Sequence, residues 1–374
     1  MGTMNNEYDV VVIGGGIAGI SAAAEIAAHC RVLVLEMEEQ PGYHATGRSA
    51  AYFAPSYGNR VVRGVTSAAE HFFRTPPAGF CDTELIKPRS AVFIAREDQR
   101  DSLEKVSGEQ PGLELMDGKS LSSWVPILAS NYVSAGLRDD NGGDIEVNTL
   151  LQSYLKLLRQ RGGSIKANHP VRALTRKNGK WSILTSQQEF FAPLIVNAAG
   201  AWADDIAQMA GLAKLGLQPK RRSVLLIDGP EGYEIENWPL VVDVDEEFYF
   251  KPDAGQLLIS PANETPSMPC DSRPEELELA IGVDRFENAT GYEVKKINHS
   301  WAGLRTFAPD KTFVVGFDPR CDDFFWLAGQ GGYGVQSAPG LAQLCTAILL
   351  AVPVSNEFAG VLEYREDVDP GRLV

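Results

Sequence analysis

Gly14, Gly16 and Gly19 stand in a G-x-G-x-x-G pattern between a strand-like run and a helix-like run, and no other stretch restricts the fold of this chain as strongly. Asp9 to Ile13 is short and β-branched, as a strand buried on both faces should be. Ile17 to His29 is alanine-rich, with Ile17, Ile20, Ala24 and Ala27 or Ala28 on one helical face, and Arg31 to Glu36 returns as a second strand. The result is a right-handed βαβ unit of about thirty residues. In such a unit the first glycine permits the tight turn, the second lets backbone approach a pyrophosphate, and the third lets helix and strand pack closely. Amides at the helix start then face phosphate charge. Glu36 closes the second strand 20 residues after Gly16, where a carboxylate can accept hydrogen bonds from ribose hydroxyls. A bound dinucleotide is expected. The fingerprint leaves NAD and FAD both open, and a ligand-free glycine turn is the competing reading.

Two later strands also end in glycine turns that feed helices. Pro193 to Asn197 leads through Ala198-Ala199-Gly200 into a helix from Ala201 to Met209, and Phe324 to Ala328 leads through a glycine cluster into a helix from Val335 to Leu350. One doubly wound domain assembled from separated chain segments accounts for all three. The remainder reads as antiparallel strands at Arg89 to Ala95, Ser223 to Asp228, Leu240 to Val244 and Glu247 to Ser260, the last folded at Pro252-Asp253-Ala254-Gly255. Ser272-Arg273-Pro274-Glu275 reads as a capping box that starts a helix running to Asn288, and Val294 to Phe307 as a returning strand. The expected fold is α/β: a Rossmann-like domain in residues 1–88, 145–215 and 310–374, with a mixed or antiparallel β-sheet substrate domain inserted as 89–144 and 216–309.

Composition narrows the partners. The 374 residues suffice for one or two large domains at about 150 residues each, and 44% hydrophobic with 22% charged residues is ordinary for a globular chain. Lys plus Arg is 34 and Asp plus Glu is 49, a net charge of -15 that repels nucleic-acid phosphates and anionic membrane surfaces. Cys30, Cys81, Cys270, Cys321 and Cys345 form no C-x-x-C pair, and the five histidines show no H-x-x-x-H spacing, so neither a disulfide framework nor a metal site is expected. Glu7 and Asp9 precede the first apolar run where a secretory signal would be basic, and the late apolar stretch from Leu344 is broken by Pro353. A cytoplasmic protein without a transmembrane segment is expected.

Two segments favour a flavin. Gly42-Tyr43-His44-Ala45-Thr46-Gly47-Arg48-Ser49 sets small residues around a cation and hydroxyls, which suits backbone wrapped round phosphates and an isoalloxazine edge, or else an ordinary polar loop. Gly329-Gln330-Gly331-Gly332-Tyr333-Gly334 precedes a helix whose first amides would lie near a flavin's pyrimidine carbonyl, where negative charge grows on reduction.

With the fingerprint, Gly47-Arg48-Ser49, Asn197-Ala198-Ala199-Gly200 and the C-terminal glycine cluster in this order, the chain resembles the FAD-dependent D-amino acid oxidase superfamily over almost its whole length. More narrowly, Gly47-Arg48-Ser49-Ala50-Ala51, Pro76-Pro77-Ala78-Gly79-Phe80-Cys81, Gln218-Pro219-Lys220-Arg221-Arg222-Ser223, Trp301-Ala302-Gly303-Leu304-Arg305 and Gln330-Gly331-Gly332-Tyr333-Gly334 are similar to runs of the bacterial D-arginine dehydrogenases. The resemblance implies oxidation of a D-amino acid to an imine by hydride transfer to flavin N5, and hydrolysis of the imine to a 2-oxo acid and ammonia. Quinone or oxygen is the implied acceptor, dehydrogenase being favoured, and a quinone would bring the protein to the membrane periphery. By position, Arg305 pairs with the substrate carboxylate, Tyr249 donates its hydroxyl to it, and Arg222 is a second cation. Gly332 turns its backbone to the amine, and Tyr57 belongs to a mobile covering loop. The implied FAD contacts add Ile17, Ala18, Met37, Val171, Trp202, Val335 and Gln336 to the residues already quoted. FAD is expected to be non-covalent, because no cysteine falls between Trp301 and Phe307, where some sarcosine oxidases attach theirs.

Each role has a plainer competitor. Arg221 and Arg222 could be a solvated basic run, Arg305 a salt-bridge partner, and Tyr249 and Trp301 core aromatics. His44 could be a base. Where the D-arginine enzymes carry a glutamate and a histidine, this chain has Ala91 and Tyr52. A neutral or apolar side chain is therefore expected on the substrate. The alternatives are a glycine- or sarcosine-type amine oxidase, a small hydroxy-acid dehydrogenase, or a non-catalytic flavin-bearing subunit.

Overall fold

Val10–Ile13 lies inside a six-stranded sheet ordered Val314–Asp318, Cys321–Ala328, Leu194–Asn197, Val10–Ile13, Val32–Leu35, Ser164–Lys166 in the computed structural model, which describes residues 6–110 and 112–374. Val10 is in register with Leu194 on one side and Val32 on the other, both parallel, and only Val314–Asp318 runs antiparallel to its neighbour. A parallel sheet must be covered on both faces, and the alternation of Val10–Ile13 shows how. Val10 and Val12 pack with residues of the helices Ile17–Ile26, Arg60–Arg74, Val147–Gln160 and Gly334–Leu350. Val11 and Ile13 pack against the antiparallel sheet of Val171–Lys177, Lys180–Thr185 and Glu189–Ala192. The three strands expected to end in glycine turns are adjacent and parallel, so the loops after Ile13, Asn197 and Ala328 converge at the carboxyl end of the sheet.

The second large element is a nine-stranded mixed sheet ordered Thr265–Pro266, Gln218–Asp228, Gln256–Ser260, Tyr249–Asp253, Leu240–Asp243, Ala91–Ala95, Ala135–Asp139, Glu114–Asp117, with His299–Phe307 also paired to Gln218–Asp228. Alternation again divides its faces. Leu225, Val241, Phe250 and Ile259 enter the core with Phe286 and Ala289 of the helix Glu276–Thr290, and the Phe250 and Phe286 rings meet edge to face at 5.1 Å. Truncating either ring to alanine should cost about 3–5 kcal/mol. Arg222, Val224, Leu240, Val242, Tyr249 and Lys251 face the other way, where the cavities lie.

Four details differ from the sequence reading. Leu240–Asp243 pairs parallel, not antiparallel, with Ala91–Ala95, because these strands are separated by a long crossover rather than a hairpin. That strand begins at Ala91 rather than Arg89, and the preceding Ile86–Pro88 pairs separately with Gly143–Ile145. The helix starts at Glu276, where Glu275 and Glu278 form the capping box; Ser272 does not cap it. The returning strand begins at His299 rather than Val294. The turn after Asp253 is a two-residue hairpin loop, Ala254 and Gly255, with φ of 48° and 80° that match the twist of the paired strands. Among the described residues no helix is long and apolar enough to cross a membrane.

Candidate functional site

The converging loops and the face of the nine-stranded sheet that carries Arg222, Tyr249 and Lys251 enclose two adjoining cavities, of about 400 Å³ and about 120 Å³. The larger follows the fingerprint. Gly14, Gly16, Ile17, Ala18, Glu36 and Met37 line it, with His44, Thr46, Arg48, Ser49, Ala50, Val171, Ala199, Gly200 and Trp202 along its length. Arg305, Gly331, Gly332, Gly334 and Val335 line its far end. Ala51 and Gln336 line the smaller cavity, and Gly19, Gly47 and Tyr333 line neither. Gly19 has the packing role expected of the third glycine, since a Cβ there would sit 1.9 Å from the carbonyl oxygen of Gly14.

The local chemistry fits a flavin dinucleotide. The Glu36 carboxylate accepts from the Gly15 amide at 2.6 Å and the Glu38 amide at 2.8 Å. Burial raises its pKa against the pull of those amides, so further hydroxyl donors would stabilise its charged form. Thr46 Oγ1 accepts from the Ile17 amide at 3.0 Å and so joins the second glycine-rich segment to the helix start. Ser272 Oγ, Thr306 Oγ1 and Gln330 Nε2 line the cavity, are buried, and have no partner among the described residues. Buried polar atoms rarely stay unpaired, and a ligand carrying carbonyl and hydroxyl groups would satisfy these.

Other expectations are redistributed. The Arg48 guanidinium, on the wall of the larger cavity, pairs with Asp271 and donates to the carbonyls of Tyr43, Ser272 and Ala302. His44 Nε2 donates to Glu38 at 2.8 Å, its ring packs on Trp202, and it lines only the larger cavity, so it is not placed as a base for a substrate in the smaller one. Trp301 donates its indole N–H to the Arg48 carbonyl at 3.0 Å.

Ser49, Ala50, Arg222, Tyr249, Arg305, Gly332 and Val335 line both cavities and mark their junction. Arg222 is 6% exposed, donates through Nε to the Asn263 carbonyl at 2.8 Å, and lies 3.6 Å from Glu264. Burial and the charge of Arg305 both lower its pKa, a penalty that a bound anion would relieve. The Arg305 side chain has no hydrogen bond or ion pair among the described residues, which the strand-salt-bridge reading did not anticipate. The Tyr249 hydroxyl is buried, with Arg222 and Ser260 beside it but no partner in hydrogen-bonding geometry among the described residues. Burial opposes its ionisation, but Arg305 and Arg222 outweigh burial and hold its pKa below the usual phenol value.

The smaller cavity carries Tyr52, Tyr57, Ala91, Phe93, Leu240 and Val242 on its walls. Tyr52 donates to the Arg89 carbonyl at 2.6 Å, and Tyr57 to Glu246 at 3.1 Å with its ring 5.3 Å from that of Tyr333. Gln336 accepts from the Ala54 amide at 3.1 Å and anchors the loop that carries Tyr57. Sequence reasoning missed His169 and Arg172 on the larger cavity and Asp139, Glu246 and Lys251 on the smaller. Lys251 was legible, because it sits two residues after Tyr249 on one strand.

The family model described as DAO, FAD dependent oxidoreductase, matches residues 9–348. FAD-dependent oxidoreductase domain-containing protein 1 of Mus musculus is 24% identical, over 92% of this chain and 81% of its own. L-proline dehydrogenase from P. horikoshii superposes with a TM-score of 0.82 at 19% identity, over 99% of this chain and 98% of its own. Glycine oxidase from Geobacillus kaustophilus does so with a TM-score of 0.81 at 18% identity, over 94% of this chain and 98% of its own. The solved structures share the fold and the family model spans most of the sequence, so the chain belongs to the FAD-dependent oxidoreductase family.

Proposed function

We propose that the protein oxidises a D-amino acid with a neutral or apolar side chain to its imine, which water converts to a 2-oxo acid and ammonia. The observation that carries this reading is the junction of the two cavities, where Arg222, Tyr249 and Arg305 converge and neither the Tyr249 hydroxyl nor the Arg305 guanidinium has a hydrogen-bond partner among the described residues. What such a trio needs is an anion. A planar guanidinium takes a carboxylate through two parallel hydrogen bonds, and a desolvated site strengthens the pair.

With the carboxylate held there and the amine against the Gly332 backbone, the Cα hydrogen has one direction left, towards the larger cavity. FAD, when bound, supplies the two-electron acceptor. The Cα–H bond breaks with its electron pair leaving the substrate, the nitrogen lone pair forms the C=N bond, and a nitrogen-bound proton passes to solvent. The residues orient and charge-match the substrate; this sequence requires no protein base.

Substrate names among the relatives support an amino acid or amine: glycine oxidase, L-proline dehydrogenase and the dimethylglycine dehydrogenase of Mus musculus. The D configuration and the likeness to D-arginine dehydrogenases rest on the sequence runs quoted above. Ala91, Phe93, Leu240 and Val242 favour an uncharged side chain, and the second cavity leaves room that glycine would not fill.

The test is anaerobic mixing of the holoenzyme with D- and L-amino acid panels, followed by admission of oxygen or a quinone. Flavin bleaching by neutral D-amino acids is expected. Failure of every D-amino acid to bleach it would overturn the reading, and faster bleaching by D-arginine or D-lysine would overturn the neutral side chain.

A further inference from the structure

The smaller cavity runs along the strands of the nine-stranded sheet, and register places its lining in two rows. Tyr249, Val242 and Phe93 are cross-strand partners nearest the junction. Two residues further along each strand, Leu240 opposes Ala91 and Ala91 opposes Asp139, and continuing the same register brings Lys251 beside Leu240. The second row lies about 6.6 Å from the first at strand rise, within reach of a side chain of four or five atoms whose carboxylate sits at Arg305. Above Ala91 there is space, because directly opposed side chains start only about 5 Å apart and alanine leaves its share empty.

Asp139 borders that space and is 3% exposed, yet no cation pairs with it among the described residues. Its hydrogen bonds can be counted. Oδ1 accepts from the Asn141 amide at 2.9 Å and from Asn141 Nδ2 at 3.1 Å, and Oδ2 accepts from Ser56 Oγ at 2.6 Å. A carboxylate has about four acceptor sites, so one remains, on the oxygen turned towards Ser56, itself a cavity residue. Lys251 and Arg89 share Asp144 at 2.6 and 2.5 Å, and Asp253 lies 4.0 Å from Lys251, so both neighbouring cations already have anionic partners other than Asp139. An ammonium head would bring three donors to a single free acceptor site.

We propose that Asp139 selects substrates whose side chain ends in an uncharged hydrogen-bond donor, such as a carboxamide, over donor-free apolar or cationic side chains of similar length. The proposal rests on the amino-acid oxidation reading above and specifies its substrate class. A hydrogen bond to a buried charge is worth roughly tenfold or more in discrimination.

The experiment measures kcat/KM for D-glutamine, D-methionine and D-lysine on the wild-type holoenzyme and on Asp139→Asn, with the flavin spectrum recorded as a check of folding. Expected are a wild-type preference for D-glutamine over D-methionine of about tenfold, with D-lysine poorest, and a ratio within about threefold of unity in Asp139→Asn. Equal wild-type rates with D-glutamine and D-methionine would overturn the proposal without needing the variant. So would a wild-type preference for D-lysine, or an unchanged ratio in a folded Asp139→Asn. If no D-amino acid reduces the wild-type flavin, the oxidation reading itself fails, a result distinct from absent discrimination.

Discussion

Arg221 and Arg222 are consecutive residues of one strand, and they serve opposite faces of the sheet. Arg221 pairs with Glu278 through Nη2 at 2.8 Å and Nε at 3.0 Å, and with Glu275 at 2.6 Å, tying the strand to the helix Glu276–Thr290. Arg222 enters the junction of the cavities. The two substitutions should therefore separate. Arg221→Met should cost about 3 kcal/mol of stability by leaving Glu278 unpaired, while keeping kcat/KM within a few-fold. Arg222→Met should lower kcat/KM at least tenfold with little change in Tm. Thermal melts and steady-state kinetics on both variants check this, and matching effects in the two would contradict it.

Gly332 has no side chain because Arg305 occupies the space. A Cβ at this position would lie 2.9 Å from Arg305 Nη1 and 3.1 Å from Cζ. Gly332→Ala should keep the flavin spectrum while displacing the guanidinium, and a misplacement approaching 1 Å can cost about a hundredfold in rate. Kinetics on the yellow variant should show that loss, with an intact spectrum separating it from misfolding.

The depressed pKa of Tyr249 gives the site an alkaline limit. Burial resists ionisation of the phenol, but Arg305 and Arg222 prevail, so the phenolate forms below the usual pKa of 10. A protonated hydroxyl donates to the substrate carboxylate; a phenolate repels it. Affinity for a carboxylate ligand should therefore fall as pH rises towards 10, and Tyr249→Phe should bind more weakly at neutral pH and lose that alkaline fall. Titration of flavin absorbance with a carboxylate inhibitor across pH 7 to about 10.5 measures both.

Glu278 should contribute to acid sensitivity. Its burial raises the pKa, but hydrogen bonds from Arg221, Ser223 and Thr265 outweigh burial and leave it below the ordinary glutamate value of 4.5. A group depressed in the folded state stabilises fully above its unfolded pKa, and the stabilisation is lost as pH falls through the lower folded value. Wild-type Tm should drop more steeply below pH 4.5 than that of Glu278→Gln, which should start lower at neutral pH. Parallel melts at neutral and acid pH decide it.

How much of this was legible in the sequence depended on whether local rules controlled the residue. The glycine spacing of Gly14, Gly16 and Gly19 and the β-branched run before it fixed the sheet and one end of the larger cavity, since turn, strand and helix are all short-range. Alternation along Tyr249, Phe250 and Lys251 similarly gave pocket, core, pocket. Ser272 misled because the capping pattern was present in sequence while Glu275 and Glu278 made the actual box. The pairing of Arg48 was not legible, because its partner Asp271 lies more than two hundred residues away. Asp139 was invisible for the same kind of reason: its position opposite Ala91 exists only once Ala135–Asp139 pairs with Ala91–Ala95.

The central claim is that Arg305 binds the carboxylate of the molecule being oxidised. Anaerobic reduction of the Arg305→Met holoenzyme by the best D-amino acid of the panel tests it most directly. An intact flavin spectrum with productive binding weakened by about 2–5 kcal/mol, read as a loss in the second-order rate of bleaching, is the expected result. A near-normal rate in a variant fully loaded with FAD would contradict it.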